Sequence, residues 1–184
     1  MSGGLSLLIG GVRAGKSGRA LSLAEHYQRD GIVLFVATAQ PFDDEMRLRI
    51  DAHKRERAAK NWETLESPLR VADELVARAS SNYSVVIIDC LTLWTSNLLL
   101  SLPEDADAEA IIAGEAKRLL AVVAEFSARG TRTIVVSNEV GLGVVPPTAL
   151  GRRYRDALGR VNQLVALASD ETILMVAGLE LKLK

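Results

Sequence analysis

Five short runs rich in Val, Ile and Leu punctuate the chain: Leu5–Ile9, Ile32–Ala37, Ser84–Asp89, Thr131–Ser137 and Thr172–Ala177. Apolar residues follow one another there with little polar alternation, which is how strands read when a sheet is covered on both faces. Between them, apolar positions recur at helical spacing over roughly Lys16–Arg29, Asp43–Ala59, Leu69–Ala79, Leu91–Leu100, Ala108–Arg129 and Thr148–Ser169. Strand and helix alternate from end to end, the pattern of an α/β fold with a mostly parallel sheet flanked by helices. Two segments depart from the rhythm. Trp62–Leu65 reads as a short extra strand, and Leu179–Lys184 (LELKLK) alternates apolar and charged residues like an exposed C-terminal edge strand. Ser101–Asp107 is a polar surface connection, and NEVGLGVVPP after Ser137 is a Gly/Pro loop. With 184 residues and no internal repeat or linker, the pattern predicts a single domain.

Composition narrows the picture further. Apolar residues make up 48% of the chain, enough for one core, while aromatics at 4% leave that core to the aliphatic side chains. A net charge of −1 lacks the basic balance of a nucleic-acid or membrane-surface binder, so neither partner is expected. No apolar run is long enough to predict a membrane span. MSGGLSLLIGG lacks a basic start and runs straight into glycines, unlike a secretory leader. The lone cysteine, Cys90, excludes an internal disulfide. The expectation is a soluble, cytoplasmic protein.

Gly10-Gly11-Val12-Arg13-Ala14-Gly15-Lys16-Ser17 satisfies G-x-x-x-x-G-K-[ST] between a predicted strand and a predicted helix. Such a loop turns successive backbone N–H groups toward phosphate oxygens, and the helix N-terminus adds favourable potential. Lys16 is expected to reach the β/γ-phosphates and the Ser17 hydroxyl to ligate Mg²⁺. Asp89, ending the strand SVVIID, is the expected second metal residue; capping the helix from Leu91 is an alternative use of the same carboxylate. A switch-type GTPase would need N-K-x-D and an ABC-type ATPase an S-G-G-Q-like signature, and the chain has neither.

Between Arg47 and Lys60, six Lys/Arg face only Asp51 and Glu56, a local charge of +4 that leaves −5 for the rest. Such a stretch suits an anion, though a solvated helix laced with pairs such as Asp51 and Arg55 fits the pattern equally. His53 falls at i+3 from Ile50 and i+7 from Met46, on the edge of that helix's apolar face. A structural imidazole fits there. So does a nucleophile: neutral imidazole attacks phosphorus, and nearby cations lower its pKa while neutralising phosphate charge.

The cradle GGVRAGKS, the segment VATAQPFDDEMRLRIDAHKRER, WETLESP, IIDCLTLWTSNLL and VVSNEVGLGVVPPTALGRRYRDALGRVNQLVA, in this order, resemble the bifunctional adenosylcobinamide kinase/adenosylcobinamide-phosphate guanylyltransferases of cobalamin biosynthesis. The resemblance spans nearly the whole chain. It implies a P-loop NTPase fold of the RecA-like kind and an oligomer, typically a trimer. It also implies GTP or ATP as nucleotide, Mg²⁺, and adenosylcobinamide and its phosphate as acceptors. Gly10–Ser17 would hold the nucleotide phosphates, and Ala37, Thr38 and Ala39 would line the site. His53 falls where the family carries its guanylylated histidine, followed by Lys54, Arg55, Glu56 and Arg57 as nucleotide contacts. Glu66 and Asp89 match acidic positions associated with nucleotide binding. The loop NEVGLGVVPP would form a mobile wall for a bulky corrinoid; an ordinary strand-to-helix connection reads the same. Arg152, Arg153, Arg155 and Arg160 on the next helix have no assigned partner, and Trp94 and Cys90 read as packing residues. Two rivals stay open on the sequence: a kinase of another small alcohol without guanylyl transfer, and a non-catalytic nucleotide-binding module.

Overall fold

The computed structural model describes residues 3–28, 31–40, 60 and 62–184. In chain order the elements are β1 (Gly4–Gly10), α1 (Lys16–Tyr27), β2 (Ile32–Ala37), β3 (Glu63–Glu66), α2 (Val71–Val76), β4 (Tyr83–Asp89), α3 (Leu91–Ser101), α4 (Ala108–Ala128), β5 (Arg132–Asn138), α5 (Ala149–Ala168), β6 (Glu171–Val176) and β7 (Leu179–Lys182). The strands form one sheet in the order β3-β2-β4-β5-β1-β6-β7. All neighbours run parallel except β6 and β7, which form an antiparallel hairpin at one edge.

The central strands are buried on both faces, and their side chains sort into two cores by alternation. Leu5, Leu7, Leu34, Val36, Val86, Ile88 and Val135 face α2 to α5 on one side. Leu8, Val33, Phe35, Val85, Ile87, Ile134 and Val136 face α1 on the other. The long helix α4 supplies its layer with Ile112, Ala116, Leu119, Val123 and Phe126, one stripe at three- and four-residue spacing. It begins at Asp107, whose side chain accepts from the N–H of Ala110 at 3.1 Å; Thr148 caps α5 in the same way through Gly151 N–H. Helix α3 (LTLWTSNLLLS) carries no charged residue and is buried along most of its length, with Trp94 completely enclosed.

The expected strands and helices lie within about two residues of these elements, save one. Helix α2 covers six residues rather than the stretch Leu69–Ala79. Arg78, Ala79 and Ser81 donate to carbonyls three residues back, so the chain tightens into turns where the pattern alone continues a helix. The helix expected over Asp43–Ala59 lies outside the described residues. The edge strand β7 matches expectation: Leu179 and Leu181 share a face with Val176, and all three are exposed.

Trp94 also donates its indole N–H to the carbonyl of Leu69 at 3.0 Å, tying α3 to the turn that precedes α2. Trp94→Phe keeps most of the apolar volume but leaves that carbonyl without its partner. A loss of about 1–3 kcal/mol is expected, read as a lower urea midpoint at unchanged slope.

Candidate active site

Strand β1 ends in Gly10, where the backbone passes so close to β6 that a Cβ would stand 2.2 Å from the Met175 carbonyl oxygen. Only glycine fits there, and from that point the chain turns through Gly11–Gly15 into α1. Gly15 immediately precedes α1 with φ at +93°, a conformation that glycine adopts without strain. No side chain caps α1 and no acidic residue lies in its first turn, so the N-terminal N–H groups face outward as an anion site. Arg13, at the loop's tip, holds a left-handed φ of +57°.

Two brackets fix this loop. Glu139 N–H donates to the Gly10 carbonyl at 3.1 Å from the end of β5, and Gly178 N–H donates to the Ala14 carbonyl at 3.2 Å from the β6–β7 turn. Lys16 is buried (6% exposed), and its ammonium donates to the carbonyls of Gly10 and Gly11 at 3.0 and 2.6 Å. Burial pushes its pKa down from the ordinary value, opposed by Cys90 and by the Asp89 carboxylate. The ammonium is therefore held inside the cradle by the Gly10 and Gly11 carbonyls. Ser17, half-buried at the start of α1, makes no side-chain hydrogen bond among the described residues, which leaves its hydroxyl available as a metal ligand.

The acidic and strand-end residues fall into one row. Ala37 is in register with Glu66 on β3 and with Asp89 on β4, and Asp89 is in register with Val136 of β5, which pairs with Leu8 of β1. Alternation puts Glu66, Ala37 and Asp89 on the face that α1 covers, because Phe35 and Ile87, two residues before Ala37 and Asp89 on their strands, pack there. At ~4.8 Å per strand, the row from β3 to the cradle strand spans about 19 Å. Asp89 does not cap the following helix: Cys90 occupies that position, without a side-chain bond.

Thr38 sits between Ala37 and Ala39, just past the end of β2. It is fully buried. Its hydroxyl donates to the Cys90 carbonyl at 2.7 Å and accepts from Cys90 N–H at 2.8 Å. Its N–H donates to the Asp89 carbonyl, and its carbonyl accepts from Asn97 at 2.8 Å. Every polar group of Thr38 is thus engaged inside the protein, while Ala37 and Ala39 on either side are only half-buried. His53, Lys54, Arg55, Glu56 and Arg57 lie outside the described residues.

The sequence reading missed two buried asparagines. Asn97 on α3 also donates to the Pro68 carbonyl at 3.0 Å. Asn162 on α5 accepts from Ser137 Oγ at 2.6 Å and donates to the Asn138 carbonyl at 3.0 Å, while Asn138 N–H donates to Thr92 Oγ1 at 2.7 Å. The only sequence signal was an asparagine at an apolar position of a helix. Two arginines of α5 face neighbours rather than the cradle. Arg152 donates to the carbonyls of Pro146 and Pro147, pinning the end of the Gly/Pro loop, and Arg153 donates to those of Glu104 and Ala106. Leu142, Val144 and Val145 in that loop are exposed.

Cys90 keeps some surface, but its thiol is withdrawn from water; burial first and the Asp89 carboxylate second push it up to about 11. Without nucleotide or divalent cation at pH 8, alkylation of Cys90 should run roughly a hundredfold slower than in the unfolded chain. Its rate should keep climbing through pH 10 rather than levelling near 9, which a pH series with iodoacetamide reads directly.

Known proteins agree with this geometry. Among solved structures, the flagellar accessory protein FlaH from Methanocaldococcus jannaschii matches all of this chain and 79% of its own, with a TM-score of 0.58 at 14% identity. The RadB recombinase gives a TM-score of 0.52 at 17% identity over 94% of this chain and 74% of its own. These two likenesses support the P-loop NTPase fold of the RecA-like kind. In sequence, the bifunctional adenosylcobalamin biosynthesis protein CobP of Pseudomonas aeruginosa is 42% identical over 97% of this chain and 96% of its own. The proteins called CobU in Escherichia coli and Salmonella typhimurium are 35% and 37% identical, each over 97% of this chain and 98% of their own. The profile of one family matches residues 6–183, and the chain belongs to it: the cobinamide kinase / cobinamide phosphate guanyltransferase family.

Proposed function

We propose that this protein is a bifunctional enzyme of cobalamin biosynthesis, acting as one domain over residues 1–184. As a kinase it transfers the γ-phosphoryl group of ATP or GTP to the hydroxyl of adenosylcobinamide. As a guanylyltransferase it moves GMP from GTP to adenosylcobinamide phosphate. The observation that carries this reading is the row from Glu66 through Ala37 and Asp89 to β1, the strand that runs on through Gly10 into the cradle, an edge along which one nucleoside triphosphate can lie.

In the kinase half, the hydroxyl oxygen bonds to the γ-phosphorus and gives up its proton to solvent, as the bond to the oxygen bridging to the β-phosphorus breaks and releases the diphosphate. The cradle N–H groups and Lys16 hold the phosphates and stabilise charge on the transferred group. In the second half, a neutral imidazole nitrogen of His53 bonds to the α-phosphorus of GTP and the bond to the β-bridging oxygen breaks, releasing pyrophosphate. A phosphate oxygen of adenosylcobinamide phosphate then displaces the imidazole, giving adenosylcobinamide-GDP. Splitting one displacement into two is what a covalent nucleophile contributes. Lys54, Arg55, Glu56 and Arg57 are assigned to nucleotide contact beside His53, with Glu66 at the end of β3.

Mg²⁺ fits the residues present. Ser17 offers a hydroxyl, and Asp89 stands close enough for its charge to act on Lys16 and Cys90. Bound there, the ion would offset phosphate charge. The reading expects a cytoplasmic enzyme. No helix among the described residues is long and apolar enough to cross a membrane. A homo-oligomer, a trimer by family resemblance, is supported by the exposed apolar face of β6 and β7, where Val176, Leu179 and Leu181 are left uncovered among the described residues.

The test uses GTP labelled at either the α- or the γ-phosphate. Purified protein should take up an acid-labile, alkali-stable label from α-labelled GTP only, and His53→Ala should lose it while still phosphorylating adenosylcobinamide. Absence of any covalent label under conditions where GTP binds would contradict the guanylyltransferase half.

A further inference from the structure

The bonds around Asn97 converge on the part of the sheet edge farthest from the cradle. Asn97 sits in the middle of α3 and is 5% exposed. Both of its described side-chain bonds leave the helix: one amide nitrogen serves the Thr38 carbonyl at the end of β2 and the Pro68 carbonyl just past β3. Three residues earlier, Trp94 holds the neighbouring carbonyl of Leu69. The β2 end is in turn joined to β3 by Ser67 N–H donating to the Ala37 carbonyl at 2.9 Å, and to β4 through the two bonds between Thr38 Oγ1 and Cys90. One side chain therefore bonds two strand ends directly, those that carry Ala37 and Ala39 and Glu66, and the Thr38 clasp joins the first of them to the Asp89 strand. None of these bonds touches the cradle, which is braced separately by Glu139 and Gly178.

Ser67 belongs to the same strand ends. Ser67 is buried (3% exposed), and its hydroxyl has no hydrogen-bond partner among the described residues.

We propose that Asn97 is the positioning residue for the nucleoside half of the bound GTP: through Thr38 and Pro68 it fixes the ends of β2 and β3 relative to β4, while the cradle fixes the phosphates independently. The inference rests on the reading that one nucleotide lies along this edge, and it adds a division of labour to it. An apolar residue at position 97 would leave the Thr38 and Pro68 carbonyls unpaired in a dry interior and let those ends shift.

The division makes the test specific. Inorganic tripolyphosphate offers the cradle its phosphates without a nucleoside, so it probes the cradle alone. Asn97→Leu should weaken GTP binding by about tenfold or more, and slow guanylylation of His53, while tripolyphosphate affinity stays within about twofold of wild type. A general loosening of the fold would weaken both ligands together. Thr38 supplies a paired control should Asn97→Leu fold poorly: Thr38→Ser keeps the hydroxyl clasp on Cys90 and should bind GTP normally, whereas Thr38→Val should reproduce the selective loss. Equal losses for GTP and tripolyphosphate, or no loss for GTP in folded Asn97→Leu and Thr38→Val, overturns the proposal. Wild-type protein that binds tripolyphosphate but not GTP would instead overturn the nucleotide reading on which it rests.

Discussion

A backbone carbonyl at the end of β1 is the hinge of the whole site. Gly10 has no side chain, so β1 can run tightly past Met175 of β6 and leave its own carbonyl turned inward. Glu139 N–H and the Lys16 ammonium share that oxygen, at 3.1 and 3.0 Å. One bond ties the cradle to the strand that separates it from Asp89; the other holds the cation inside the loop before any phosphate arrives. Charge waiting in place costs no reorganisation when the ligand enters, which is how fixed dipoles and ions act most strongly on a reacting phosphate. A side chain at position 10 would collide with β6 backbone, and both bonds would be lost with the turn.

The remaining edge is held by amides rather than by packing. Sheet and helix place the strand ends, but the last peptide of each strand has no ladder partner and must find its bonds elsewhere. Asn97 meets that need for β2 and β3, and Asn162 with Thr92 meets it for β5. Buried this deeply, these bonds are strong when complete and expensive when broken. They give Ala37 and Ala39, and the row of strand ends they belong to, a rigid support on which a ligand can rest.

Much of this could be read from the chain alone. The apolar runs gave the strands because a sheet covered on both faces needs nearly unbroken Val, Ile and Leu, and GGVRAGKS gave the cradle because few other spacings turn so many N–H groups one way. The edge strand β7 showed in its alternation. Helix α2 was overextended because helical periodicity and i to i+3 turns place apolar residues alike. The role of Thr38 was not legible, since its partners lie 52 and 59 residues away and only the fold brings them together. Asn97 was hidden for the same reason: an asparagine among leucines signals a buried amide but not what it bonds.

On the proposed reading, a single cradle serves both half-reactions. The most direct test is mass analysis of the products made by wild type and Lys16→Ala, with adenosylcobinamide and adenosylcobinamide phosphate supplied separately alongside GTP. Both the phosphorylated product and adenosylcobinamide-GDP should fall by roughly a hundredfold or more in the variant. Loss of one product with the other made at the wild-type rate would show two separate phosphate sites and contradict the account.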